Sequence, residues 1–442
     1  MPDRPDLAAL LEERIREAAA LTWADLPDGV REHAALVLAD TIGVIGAGAR
    51  SPEVTALVRD PVLGLRSGRG DPATAAWVNG TAGTFLELDE GFRPTGHPAV
   101  HVLPAALAVA EVEHAAGTAL LTALVAGYEV AARLFESFVL PAPMHPHGHF
   151  GGIGAATAVA MLAGADPVAL ARIAATQSLL TGWEACYEGA TARNTWAGHA
   201  NRSGVQALVL HRSGFRGSLA SHLSVVAPYV AVASTLAEPV RPGTLRIRRN
   251  YLKLHSACAL THTALDATAQ AWSELDAEPG DVEAVEVVTV TNNLRVARTA
   301  EPNALSTRFS LPYAVAARIH HGGTDPGHMD WRPEVARLAA SVTVRSDPAL
   351  DALWPGAAPA VVRIRTRRGV AEARVDNPRG HHADPVGRPV LREKFVRLGG
   401  DGEVFDALVG VAETADVADL ALPEALVRTN SAEGLFTGRP SM

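Results

Sequence analysis

Residues 1 to about 250 carry apolar positions at helical spacing, in one run after another. "DGVREHAALVLADTIGVIGAGA" (28–49) keeps that spacing and ends in glycines, as helix stops do. "HVLPAALAVAEVEHAAG", "TALLTALVAGYEVAARLFESF" and "GIGAATAVAMLAG" are alanine-rich and apolar nearly all round. Helices of that kind are buried on most sides, and their small side chains let them pack closely. The period changes after about residue 265. "VEAVEVVTVTNN" (282–293) and "SVTVRSD" (341–347) are β-branched with partial alternation, and "VVRIRTRRGVAEARVDN" (361–377) reads as a hairpin around Arg368–Gly369. A helix interrupts these strands, with Ser310 as N-cap and Pro312 in its first turn, and helix returns near 387–412. The expectation is a mainly α chain with a smaller α/β part. A large all-helical domain takes 1–260 and 406–442, an α/β lid domain takes 261–405, and a C-terminal helix returns to the helical domain.

Composition narrows the function classes. The chain has 442 residues, 48% of them hydrophobic, enough for a large core. Its net charge of −9 argues against nucleic acid or an anionic membrane as partner. The charged, amphipathic N-terminus lacks an apolar signal core, so a cytoplasmic protein is expected. Two cysteines, Cys186 and Cys258, are too few to hold an iron–sulfur cluster alone. Only Lys253 and Lys394 are lysines among 39 basic residues. Lys394, in "VLREKFVRLGG", reads as an exposed position on an amphipathic helix.

Four segments concentrate polar residues against this apolar background. In "FLELDEGFRPTGHPAVHVLPAALA" (85–108), Glu87, Asp89 and Glu90 follow a helix C-terminus, where carboxylates oppose the macrodipole. A solvated acidic turn and a functional cluster both fit. His97 and His101 precede the next helix. In "MHPHGHFGGIGAATA" (144–158), His145, His147 and His149 alternate as they would on a zinc-binding strand, but Pro146 and Gly148 break a regular strand and no Cys or acidic ligand lies nearby. The glycines after them read better as a helix start able to receive an anion. "ARNTWAGHANRSG" (192–204) brings Arg193, His199 and Arg202, and "NYLKLHSACALTH" (250–262) brings Lys253, His255, Cys258 and His262 to the domain boundary, where ligand clefts tend to lie. Lone cysteines in such segments are more often packing than nucleophiles. Histidines, a lysine, a tyrosine and arginines, with no metal or nucleotide signature, suit acid–base chemistry on a small anion, or its mere binding.

Seven segments in order, "LADTIGVIGAG", "AAWVNGTAGTFLELDE", "GHPAVHVLPAALAVAE", "GYEVAARL", "HPHGHFGGIGAATAVAMLAG", "KLHSACALTH" and "RFSLPYAVAARI", resemble the MmgE/PrpD family nearly end to end. That family includes 2-methylcitrate dehydratase, cis-aconitate decarboxylase and iminodisuccinate epimerase. The resemblance implies a helical domain with an α/β lid, usually in a homodimer, and no cofactor or metal. It implies catalytic roles for His97, His145, Lys253 and Tyr313, and substrate contacts from Glu87 and Arg193; His255, beside Lys253 at the domain boundary, is a further candidate substrate contact. At four positions the chain departs from the family: Glu87 stands for an aspartate, Gly91 for a threonine, Arg193 for a lysine and Trp196 for a histidine. The function implied is a cofactor-independent lyase, first a dehydratase of a small di- or tricarboxylate acting through an enolate-like intermediate. A decarboxylase, an epimerase and an inactive anion binder are the alternatives.

Overall fold

The structure, a computed structural model, describes residues 6–141 and 143–430. Its helical half is built around Gly151–Leu162, which lies among Pro98–Val112, Gly117–Ser137 and Thr195–Arg212. Glycine and alanine allow this crowding. A Cβ at Gly154 would lie 2.5 Å from the Gly127 carbonyl oxygen, and one at Gly151 would lie 2.4 Å from the His101 ring. The glycine-rich helix start thus serves close packing, with the His101 side chain directly against Gly151. Gly117–Ser137 is long and apolar enough to cross a membrane, yet it is buried within the protein, where its Glu129 pairs with Arg133 and Arg246.

The lid holds a four-stranded sheet in the order Val342–Ser346, Val282–Thr289, Ala360–Thr366, Gly369–Val375. The first two strands pair in parallel and the rest antiparallel, with the hairpin turning at Arg367–Arg368. Val285, Val287, Val362 and Ile364 turn inward onto Leu311–His321 and His262–Ser273. Ser310 caps the former helix through the Tyr313 N–H.

Two main hydrophobic cores result, one for each half, with two small clusters beside them. The boundaries differ from those expected. Trp183, Cys186, Ala257 and Cys258 already belong to the lid core, while Leu391, Phe395 and Phe405 belong to the helical core. The return to the helical domain therefore begins with Arg388–Arg397, inside the stretch expected to be lid. The stretch 431–442 lies outside the described residues.

Candidate active site

Helix Pro72–Thr84 ends in a loop whose Glu87, Asp89 and Glu90 are all buried, which removes the solvated acidic turn. Glu87 has φ +50°, a left-handed conformation that persists only where its surroundings fix it. Four donors do so. Ser256 Oγ donates to the Leu86 carbonyl at 2.6 Å and Lys253 Nζ to the Glu87 carbonyl at 3.2 Å. Lys394 Nζ donates to the Leu88 carbonyl at 3.4 Å, and His97 Nδ1 to the Glu90 carbonyl at 2.8 Å. Antiparallel pairing of Gly91–Phe92 with Asn250–Tyr251 sets Lys253 beside the loop. Lys394, expected at the surface, is buried, with Nζ 2.7 Å from Asp40 Oδ1. Both lysines of the chain thus point at one acidic loop.

Two cations and two carboxylates close on each other here. Lys253 Nζ lies 3.4 Å from Asp89 Oδ1 and 3.6 Å from Glu87 Oε2, and the Arg193 guanidinium donates to Glu87. Burial opposes the charge on Asp89, but Lys253, then His97 and Arg193, outweigh it and hold the carboxyl well below the usual range. Lys253 shows the mirror image: burial works against its charge, Asp89 and Glu87 restore it, and the ammonium is held protonated. In this structure Lys253 and Arg193 both pair with carboxylates of the loop. Glu90 forms no ion pair among the described residues, and Lys253 lowers its carboxyl only as a minor influence. Burial pushes its carboxyl up to about 8, although the Tyr128 hydroxyl and the Ala99 N–H (3.1 Å) donate to it.

The histidines form a stack. His97 lies on His147 with ring centroids 4.5 Å apart and planes at 17°, and His147 lies on His145 at 4.9 Å and 16°. His101 leans on His147 at 4.8 Å. The Nδ1–H of His97 points at the Glu90 carbonyl, with Asp89 Oδ2 2.9 Å away to the side. Both oxygens favour a proton on Nδ1, and Nε2 stays outside this contact. His145 is buried, 3.1 Å from an Arg193 nitrogen and 3.2 Å from the His147 N–H. Burial, then Arg193 and His97, hold it well below its ordinary pKa, and burial then His97 do the same to His147. Both rings are therefore neutral. His149 lies against Phe150, apart from the stack, also lowered by burial.

Asp89, His97 and His147 each offer one atom within 4.8 Å of the others, the spacing of a metal site among the described residues. The rings do not aim at a common point. Near-parallel stacked imidazoles direct their in-plane lone pairs side by side, and a tetrahedral ion needs them to converge.

A cavity opens between the two halves, walled by Gly91, Arg93, His97 and Tyr251 from one side and by Leu260 and Arg295 from the other. Of the residues expected at the site, His97 lines it. Glu87, Lys253, Arg193 and His145 stand behind His97 as the network just described. Two do not join them. Tyr313 donates its hydroxyl to the Asp330 carbonyl (2.7 Å), accepts the Arg332 N–H (2.8 Å) and borders a different lid cavity with Arg298. His255 spends both ring nitrogens on Thr324 (2.6 Å) and Asp266 (2.9 Å). In this structure both side chains hold partners within the lid and neither lines the cavity beside His97. Burial pushes the Cys258 and Cys186 thiols up to about 12, so neither is a nucleophile. Sequence reasoning missed Arg93, Arg295, Tyr251 and Asp89 as site residues. Only Asp89 carried a signal, as part of the acidic turn.

The family model described as MmgE/PrpD N-terminal domain matches residues 16–225, and that described as MmgE/PrpD C-terminal domain matches 255–406. A cis-aconitate decarboxylase of Homo sapiens is 26% identical over 365 residues, 76% of this chain and 75% of the relative. A cis-aconitate decarboxylase of Mus musculus is 24% identical over 409 residues, 84% of this chain and 82% of the relative.

Proposed function

We propose, from the premise that this chain belongs to the MmgE/PrpD family and is a lyase-type enzyme, that it moves a proton at a carbon beside a carboxylate of a small di- or tricarboxylate, with dehydration as the outcome. The observation that carries this is His97 at the cavity wall, its Nδ1–H fixed by Asp89 and the Glu90 carbonyl and its Nε2 left as base. Carbon–hydrogen bonds beside a carboxylate ionise only where a base is placed and the enolate charge is met. The base takes the proton, the electron pair left on carbon forms the new double bond, and the β-hydroxyl leaves as water with the proton that His97 hands back, which restores the base.

Substrate carboxylates fall to Arg93 and Arg295, because Lys253 and Arg193 are occupied by Glu87 and Asp89. Arg93 donates to Asn377 at 2.6 Å across the cleft. Arg295 lies over Trp183, and no carboxylate pairs with it among the described residues. Two cations on facing walls suit an acid with carboxylates at both ends.

A second reading, decarboxylation, is favoured by the relatives' names and by the apolar wall of Leu140, Met144 and Trp183. Apolar surroundings desolvate a carboxylate and speed its loss as carbon dioxide. The test is incubation with citrate, 2-methylcitrate, cis-aconitate and other hydroxy acids, reading alkene absorbance and carbon dioxide separately. Alkene without gas is expected. Gas in step with turnover would select the second reading, and no change in any acid would remove both.

A further inference from the structure

The strands Gly91–Phe92 and Asn250–Tyr251 place residues 91 and 251 directly opposite each other. A Cβ built at Gly91 would lie 2.3 Å from Cε1 and 2.7 Å from Cζ of Tyr251. Real side chains do not come so close, so any side chain at 91 displaces this ring. The absence of a side chain at 91 is what lets the ring of 251 lie across the strand, toward the space a larger residue at 91 would occupy. Tyr251 is 4% exposed. Its ring is held on its other sides by His262, edge-on at 5.9 Å, and by His381 at 6.1 Å. Its hydroxyl is buried and has no hydrogen-bond partner among the described residues. A buried hydroxyl without a partner carries a desolvation cost that a structure rarely leaves uncompensated. Tyr251 also lines the cavity that His97 lines, together with Gly91 and Arg93.

We infer that the Tyr251 hydroxyl is a catalytic hydrogen-bond donor to the substrate, aimed at the carboxylate oxygen that gains charge when His97 removes the neighbouring proton. The inference rests on the proton-transfer chemistry of the preceding subsection and names a residue that completes it. The proton stays on the tyrosine throughout: the O–H donates a hydrogen bond, the oxygen accumulates charge as the enolate forms, and it loses that charge as the alkene is made. Burial raises the phenol above its ordinary value, with Lys253 opposing, so the donor keeps its hydrogen at neutral pH. Lys253, two residues further on, lies close enough for its charge to act on the phenol. Position 91 and position 251 then act as one unit. A side chain at 91 and a tyrosine at 251 exclude each other, and only one of them can present a hydroxyl to the cavity.

Tyr251→Phe removes the hydroxyl and little else, since the ring contacts remain. With the acid that the wild-type protein converts, kcat is expected to fall about 100-fold, the loss typical of removing one donor to a developing oxyanion, with KM changed much less and the melting temperature unchanged or raised, since the buried hydroxyl has no partner to lose. A purely structural tyrosine would lower the melting temperature and leave kcat alone. Turnover within twofold of wild type overturns the inference while leaving the proposed reaction intact. Adding Gly91→Thr to Tyr251→Ala, which moves a hydroxyl to the opposite strand, should restore part of the kcat lost in Tyr251→Ala, and a folded double variant with no recovery counts against the shared position. Should the wild-type protein convert no acid, calorimetric titration with tricarballylate, an inert tricarboxylate, reads the same contact: about tenfold weaker binding to Tyr251→Phe supports it, and equal binding overturns it. Absence of both turnover and binding in the wild type removes the reaction and this inference together.

Discussion

Glu90→Gln should make the protein more stable, by an amount that grows with pH. Glu90 is fully buried beside Asp89, and burial lifts its carboxyl from 4.5 to about 8. The unfolded chain releases this proton near 4.5 and the folded one near 8. Below the lower value both states are protonated and the native contacts keep their full strength. Between the two, only the unfolded state ionises, so stability falls as pH rises, and above the upper value the loss is complete. At about 1.4 kcal/mol for each pH unit the full interval amounts to about 5 kcal/mol. Glutamine mimics the protonated acid without titrating. Its carbonyl accepts the Ala99 N–H and its amide donates to the Tyr128 oxygen, so both present partners are kept. Asp89 titrates in the opposite sense, which is why the difference between two proteins is informative and the wild-type curve alone is not. Urea denaturation of both, from about pH 5 to about pH 8, should show the advantage of the variant growing by about 3–4 kcal/mol. Parallel curves across that range would refute the buried, protonated Glu90.

Exhaustive chelation should leave turnover intact, because the stacked rings of His97 and His147 do not converge on one point beside Asp89; stoichiometric zinc or iron lost together with activity would count against this. Of the three alternating histidines, His145→Asn and His147→Asn should each cost turnover at least tenfold, as groups behind a general base do, and His149→Asn should cost little, since it stands outside the stack; equal losses at all three would revive a metal. Lys394→Met should destabilise the fold by about 3–5 kcal/mol by stranding Asp40, and Lys394→Met with Asp40→Leu should recover most of it; thermal melts of the two variants decide, and a stable single variant would show the pair to be idle.

Periodicity made the architecture legible. Ala-rich runs became the buried helices, alternating runs became the lid strands, and Ser310 caps its helix. The acidic turn was legible as an anomaly, because carboxylates at a helix C-terminus ask for compensation, and the compensation is Lys253 and Arg193. What escaped was whatever depends on a partner far along the chain. Lys394 sits among Arg392, Glu393 and Arg397, so its segment looks solvated, yet Asp40, on a helix more than 300 residues earlier, draws it inside. Tyr313 matches a family motif, but Asp330 and Arg332 take its hydroxyl. Gly91 looked like a missing hydroxyl, and only the cross-strand register shows Tyr251 in its place. The lid boundary moved because Leu391 and Phe395 are apolar points in a charged helix, too sparse to announce which core they join.

The central claim is that His97 moves a proton at carbon. Proton NMR in deuterium oxide tests it most directly, following citrate, 2-methylcitrate and cis-aconitate with wild-type protein and with His97→Asn. The account predicts that at least one acid gains deuterium beside a carboxylate or is converted by the wild type, and that His97→Asn slows this by about 100- to 10,000-fold with the fold intact. Exchange or conversion at an unchanged rate in His97→Asn would contradict it.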